Sequence, residues 1–171
     1  LSFQGSIVLG NGFVLTRDEA IAMINADSRN REVIFPYLIG KDVNSRPDQS
    51  PSRWVINFFD WPIEKAQEYE LPFQRIKELV YPERTRWKRD KNGNDIVGTY
   101  ALAKDAVEKW WLYYRSGVSL YKTIEGMDRV LVVPKTTKYI NPVLVDKCVF
   151  DIQLTVIAFS KEKDLLQILS S

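Results

Sequence analysis

The chain has 171 residues, 45% of them hydrophobic and 27% charged, with a net charge of +2; this is the size and balance of an ordinary globular domain with a real core. Histidine is absent and Cys148 is the single cysteine, which excludes a Ser-His-Asp triad, a Cys-His pair, a histidine-metal site, an intrachain disulfide and a Cys-pair zinc site. No apolar run approaches the roughly 18 residues of a membrane helix, and a lone thiol fits a reducing compartment, so the expected setting is cytoplasmic, with no membrane partner.

Gly5 to Leu15 alternates irregularly around Gly10-Asn11-Gly12 and predicts a strand with a tight turn or bulge. Thr16 with Glu19 forms a capping box and opens a short helix that turns Ala20, Ile21, Met23 and Ile24 inward. Val33 to Ile39 is apolar, but Pro36 breaks any long element. Lys41 to Arg53 is polar, carries two prolines and reads as a long loop. Trp54 to Phe59 is aromatic, β-branched and short, and predicts a strand. Asp60 with Pro62 in the first turn starts a helix. Leu71-Pro72 starts another, with Ile76, Leu79 and Val80 at helical spacing.

Lys88 to Gly98 is the most disordered-looking stretch, an exposed tip. Leu102 to Trp110 has a helical pattern and runs into Trp110-Trp111-Leu112-Tyr113-Tyr114. Val118 to Ile124 predicts a short helix that Gly126 terminates. Three strands follow, Arg129 to Val133, Tyr139 to Val145 and Val149 to Phe159, with Asp146-Lys147 turning between the last two. Ser160 then caps a terminal helix. Cys148, between Lys147 and Val149-Phe150, is expected to be a half-buried structural thiol. The order is mixed, without a repeated βαβ unit or a boundary. The expected fold is therefore α+β: a single domain over residues 1–171, with a mixed or mostly antiparallel sheet flanked by short helices.

Catalytic vocabulary is missing. Adenine methyltransferases grip a flipped base with an Asn/Asp-Pro-Pro-aromatic segment; Asn141-Pro142-Val143 lacks the second proline and the aromatic. Gly10-Asn11-Gly12-Phe13 is followed by no Gly-Lys-Ser/Thr. Neither Glu162 nor Glu83-Arg84-Thr85 sits at the spacing of an Asp…Glu-x-Lys nuclease site. No catalytic residue, metal ligand or cofactor contact is assigned.

Binding vocabulary is present. Residues 75–91 hold seven basic side chains against three acidic ones, either a cationic surface or a solvated helix face and loop. Trp110, Trp111, Tyr113, Tyr114 and Arg115 join rings that stack on bases to an arginine that can bridge guanine N7 and O6. The alternative is core filling, favoured for Trp111 and Tyr113; Arg115, before Ser116-Gly117, is expected to face a ligand. Pro134-Lys135-Thr136-Thr137-Lys138-Tyr139 joins two predicted strands and offers donors to phosphates and base edges, or is an ordinary solvated connection. Asn44 to Arg53 suits a nucleic-acid backbone, and suits a plain surface loop equally. The candidate DNA-contacting residues are Arg46, Arg84, Arg86, Arg115, Lys135, Thr136, Thr137, Lys138 and Tyr139. Among them Arg84 and Arg86, near a helix end, suit phosphates, and Lys135, Thr137 and Lys138 suit a groove. A protein-interaction or scaffold domain is the alternative, marked by an exposed apolar patch instead of gathered cations.

Several segments together resemble one family: Ser2 to Gly10, Phe35 to Asn44, Arg53 to Phe58, Val80 to Arg84, Trp110-Trp111 through Tyr114-Arg115, and Met127 to Val132. They look like the recognition region of large single-chain restriction–modification proteins. There a nuclease, an N6-adenine methyltransferase and a target-recognition domain share one polypeptide. The resemblance runs over nearly the whole chain. It implies a module that reads a short asymmetric sequence in double-stranded DNA and positions an adenine for the methyltransferase domain of the same parent chain. S-adenosylmethionine would be bound by that other domain, and the base readers would lie around Lys135 to Tyr139. On this reading Leu1 to Ser6 is genuine sequence, not the scar of a cleaved tag. Lys88 to Gly98 is a variable insertion, and both chain ends are excision points within a longer protein.

Incubated with labelled S-adenosylmethionine and mixed-sequence duplex DNA, the chain alone is expected to transfer no methyl group and make no cut. Repeated methyl transfer, counted as label per protein, would overturn this.

Overall fold

Short strands and short helices interleave in an α+β fold in which antiparallel pairing predominates among the described residues. The computed structural model describes residues 1–137 and 142–159. In chain order the first elements are β1 (Ser2–Gln4), β2 (Val14–Leu15), α1 (Arg17–Ala26), β3 (Ile34–Leu38), α2 (Gly40–Ser45), β4 (Arg53–Ile56), α3 (Ile63–Gln67), α4 (Glu70–Leu79) and α5 (Tyr81–Arg84). There follow β5 (Trp87–Arg89), β6 (Asp95–Tyr100), α6 (Lys104–Glu108), α7 (Val118–Thr123), β7 (Arg129–Pro134), β8 (Val143–Asp146), β9 (Val149–Phe150) and β10 (Leu154–Ile157). These residues pack as two compact units, one built from residues 1–6, 36–52 and 117 onward, the other from 7–35 and 53–116.

The first unit is organised by a four-stranded antiparallel sheet in the order β1-β10-β7-β8. Its register aligns Phe3 with Val156, Val156 with Val132, and Val132 with Val143. β-Branched residues suit such a pleated surface, and the alternation places Val130, Val132, Leu154 and Val156 on the core side. Val43 of α2 and Leu120 and Ile124 at α7 complete that core with Leu38 and Phe150. Each such side chain contributes about 1.5–3 kcal/mol on burial. Leu38 and Phe150 also face each other in the parallel pairing of β3 with β9. Tyr121 adds a polar pin: its hydroxyl lies 3.0 Å from Ser6 Oγ and accepts the Phe150 N–H at 3.1 Å.

In the second unit β2 pairs antiparallel with β4, Val14 opposite Val55. Thr16 caps α1 by the reciprocal bonds its spacing predicts, Thr16 N–H to Glu19 Oε2 at 2.8 Å and Glu19 N–H to Thr16 Oγ1 at 3.2 Å. The core contains Phe13, Leu15, Val55, Ile56, Phe58, Phe73, Ile76 and Val80. Arg75 on α4 donates to Gly12 O and Val14 O and pairs with Glu19, each at 3.0 Å.

Several expectations change. Ile21 on α1 is exposed and not turned inward. The polar stretch 41–53 is not all loop, because its first residues complete α2. Lys88 to Gly98 is exposed as expected but not formless: it lies within an antiparallel ribbon of β5 and β6, with Arg89 opposite Asp95. The strand expected over Val149 to Phe159 is broken at Asp151, whose Oδ1 accepts the Gln153 N–H at 2.9 Å, so β9 and β10 pair with different partners. The helix expected after Ser160 and the strand start at Tyr139 lie outside the described residues. No helix among the described residues is long and apolar enough to cross a membrane.

Gly5 marks the closest backbone approach in the first unit. A Cβ built there would lie 2.1 Å from Asp151 O and 2.5 Å from Phe150 O, both rigid backbone atoms. Gly5→Ala is expected to destabilise the chain by about 2–3 kcal/mol, read as a lower urea midpoint. An unchanged midpoint would mean that the chain after β1 does not press on this turn.

Candidate functional site

The sequence places two polar loops 92 residues apart, and the first unit brings them into contact: Asn44 Nδ2 donates to Thr136 O at 3.1 Å. One loop leaves β7, and its Lys135 N–H still bonds Gln153 O at 2.8 Å. Lys135, Thr136 and Thr137 therefore leave the sheet edge in a fixed direction, and all three are exposed. The other loop leaves α2. Asp42, only 3% exposed, fixes both of its ends. Its Oδ2 accepts the Ile39 N–H at 3.3 Å, satisfying the helix start, and the Ser52 N–H at 3.1 Å, closing the loop exit.

Between these anchors residues 46–50 form a tight turn. Gln49 N–H bonds Arg46 O at 3.1 Å, and Gln49 has φ of 51°. Arg46 Nη2 donates to Ser50 Oγ at 3.0 Å, and its Nε lies 3.6 Å from Asp48 Oδ1. Ser50 donates to the Asp48 carboxylate from its hydroxyl and its N–H, and these bonds hold that carboxyl below its usual range. The guanidinium is thus presented in a set orientation but remains exposed. An exposed pair of this kind adds little stability.

The two loops flank an open cleft of about 450 Å³ whose lining includes Asn44, Ser45, Arg46, Gln49, Pro134 and Thr137. Its walls offer amide, hydroxyl and guanidinium groups, with Lys135 beside them. Asn and Gln can each bond an adenine edge twice, arginine a guanine edge twice, and hydroxyls and lysine reach phosphates.

The structure brings together Arg46, Lys135, Thr136 and Thr137 from the expected set. Lys138 and Tyr139 lie outside the described residues. Arg86 and Arg115 belong to the second unit and are both exposed; Arg115 exchanges backbone bonds with Ile7 at 2.9 and 3.1 Å, which leaves its side chain outward. Asn44 and Gln49 belong to the site on equal terms with Arg46, although only the arginine stands out by charge.

Arg84 is a correction. It is 1% exposed and cannot touch a phosphate. Its guanidinium donates to Val8 O at 2.9 Å, to Leu9 O at 2.8 and 3.0 Å, and to Ala106 O and Lys109 O at 3.4 Å. Burial pushes its pKa down to about 10, and it stays charged at neutral pH. The aromatic cluster is likewise mostly structural. Tyr113 and Trp110 are buried, Tyr113 Oη donates to Ile56 O at 2.7 Å, and Trp111 Nε1 donates to Trp61 O at 2.9 Å. Tyr114 alone among these rings is exposed. Cys148 is half-buried, and desolvation raises its thiol to about 12, which suits an inert structural residue.

No family model matches the chain, and no curated protein does. Its fold is similar to part of a solved structure, described as the Type IIL restriction-modification enzyme MmeI in complex with DNA. The match has a TM-score of 0.65 at 16% identity, and covers 99% of this chain and 20% of that one.

Arg84→Ala is expected to cost about 3–5 kcal/mol in urea unfolding, since it empties a core site and strands several carbonyls. Arg84→Lys is expected to restore less than half of this, because a single ammonium cannot fork to so many acceptors. Wild-type stability in Arg84→Ala would return this residue to the surface set.

Proposed function

We propose that this chain is a sequence-specific recognition module for double-stranded DNA within a restriction–modification protein. The observation that carries the reading is the likeness of 99% of the chain to a segment of a restriction-modification enzyme seen with DNA. The cleft in the first unit supports it chemically. Lys135 and the hydroxyls of Thr136 and Thr137 meet the phosphate backbone and the groove floor. Asn44, Arg46 and Gln49 offer the paired donors and acceptors that distinguish base edges. The Asp42 and Asp48 bonds hold these groups before DNA arrives, which reduces the ordering cost of binding.

The rest of the proposal concerns the parent. It is an N6-adenine-specific DNA methyltransferase that binds S-adenosylmethionine in another domain, and this module presents the target adenine to that domain. The module itself supplies no catalytic group. A second reading, a protein-interaction domain, draws on Leu71, Leu79 and Tyr81, which are exposed on α4 and α5.

The net charge of +2 implies modest affinity, and cations dispersed over several loops imply a steep salt response. About four to six phosphate contacts give a slope of roughly −4 to −5 in log affinity against log salt. Fluorescence anisotropy on duplex DNA measures it, and a flat response would sink the DNA reading in favour of the protein-interaction one. Selection from a randomised duplex library then locates the readers. Arg46→Ala is expected to relax the base preference at one position by about ten- to a hundredfold, and Gln49→Glu to shift it toward cytosine, whose amino group an acid accepts. If both changes only weaken binding and never alter the preferred base, the cleft is a backbone anchor and the readers lie elsewhere.

A further inference from the structure

The β5–β6 ribbon belongs to the second unit, whereas the residues of the cleft belong to the first. Every residue of β6 is exposed, and Val97 is 80% exposed. A Cβ added at Gly93 or Gly98 would meet nothing within 4 Å, so the ribbon projects into open space. A two-stranded ribbon that buries so little is marginal by itself, yet this one is braced at both ends. At its base Trp87 stacks on Tyr100 at 4.7 Å with 14° between the rings, and Ala101 N–H bonds Arg86 O at 3.0 Å. At its tip the Asp90 carboxylate accepts the N–H groups of Asn92 at 2.8 Å and Asn94 at 2.9 Å.

The ribbon's two carboxylates are both engaged within it. Asp90 holds the tip, and Asp95 accepts Arg89 Nε at 3.1 Å. Arg86, Lys88 and Lys91 have no ion-pair partner among the described residues. Arg86, Lys88 and Lys91 thus lie within six residues of chain, and with Arg89 these four cations outnumber Asp90 and Asp95 by two charges, on a preformed arm of the dimensions that a duplex groove admits. Arg86, Lys88 and Arg89 also border an open hollow of about 470 Å³ at the base. Against this concentration of charge the apolar edge is small, with Ile96 and Val97 the exposed aliphatic side chains.

We propose that the β5–β6 ribbon is a second DNA-contacting element, which grips the phosphodiester backbone of duplex DNA through Arg86, Lys88 and Lys91 and sets how tightly, but not where, the protein binds. The inference rests on the DNA reading above. Phosphate contacts carry no sequence information directly, so their contribution is equal on every duplex.

The test compares salt titrations of the full chain with its R86Q/K88Q/K91Q variant on two unrelated duplexes. Each lost phosphate contact lowers the slope by about 0.9, so the triple variant is expected to lose two to three units of slope. At low salt it is expected to bind about ten- to a hundredfold more weakly, equally on both duplexes. K88R/K91R keeps the charge and is expected to keep the wild-type slope, and Val97→Ser to bind as wild type. If the triple variant keeps the full slope while Lys135→Ala lowers it, the ribbon proposal falls and the DNA reading stands. If wild type itself shows no salt-dependent binding, both fall. A loss in K88R/K91R, or in Val97→Ser at unchanged slope, also overturns the proposal, the first by showing a structural role and the second by pointing to an apolar partner.

Discussion

A guanidinium sealed away from water governs the second unit. Arg84 brings a full positive charge into the core and offers its N–H groups to the carbonyls of Val8, Leu9, Ala106 and Lys109. Burying a charge is tolerable only where hydrogen bonds replace its hydration, so these segments must stand where the arginine needs them. The chain before β2, the end of α5 and the turns after α6 are thereby fixed to one another with little regular structure among them. Arg75 repeats the device on a smaller scale, binding Gly12, Val14 and Glu19. Two arginines of the basic run at 75–91 are thus fasteners, which reduces the surface charge that the run would otherwise display.

The first unit solves a related problem with the opposite sign. Asp42 is buried and its partners are backbone N–H groups at the two ends of one loop. That carboxylate caps a short helix in a polar stretch, from which Asn44 reaches the Thr136 carbonyl. The side chains that can meet a ligand are then held by groups that cannot. This separation of anchoring from contact lets a recognition surface vary its outward residues without disturbing its frame.

Much of the fold could be read from local signals. The Thr16–Glu19 box, the proline-led starts of the middle helices and the short apolar run of β7 each depend on neighbours within a turn or a strand. Illegible features depended on partners far along the chain. Asp42 reads as one more polar residue until Ser52 closes on it, and Arg84 reads as surface charge until Val8 and Leu9 arrive 75 residues away. The break at Asp151 was equally hidden, because Asp151, Gln153 and Thr155 alternate with apolar residues as they would in one continuous strand, and nothing in that pattern reveals a change of partner strand. At the site, charge and position drew attention to Arg46 and Lys135, while the neutral Asn44 and Gln49 gave no signal above that of an ordinary loop. The stacked Trp87 and Tyr100 brace a segment whose composition alone suggested disorder.

The pairing of β1 with β10 has a consequence for the order of events during synthesis. Ser2 has Ile157 as its partner, and the first unit is gathered from three separate stretches of chain. The opening strand therefore waits, unpaired, until nearly the whole of the described chain has left the ribosome, whereas residues 53–116 can begin to pack much sooner. Contacts so distant in sequence fold slowly and leave an unpaired edge exposed meanwhile. The cleft is assembled late as well, because residues 43–49 on one wall must wait for Pro134, Thr137 and Val143 on the other.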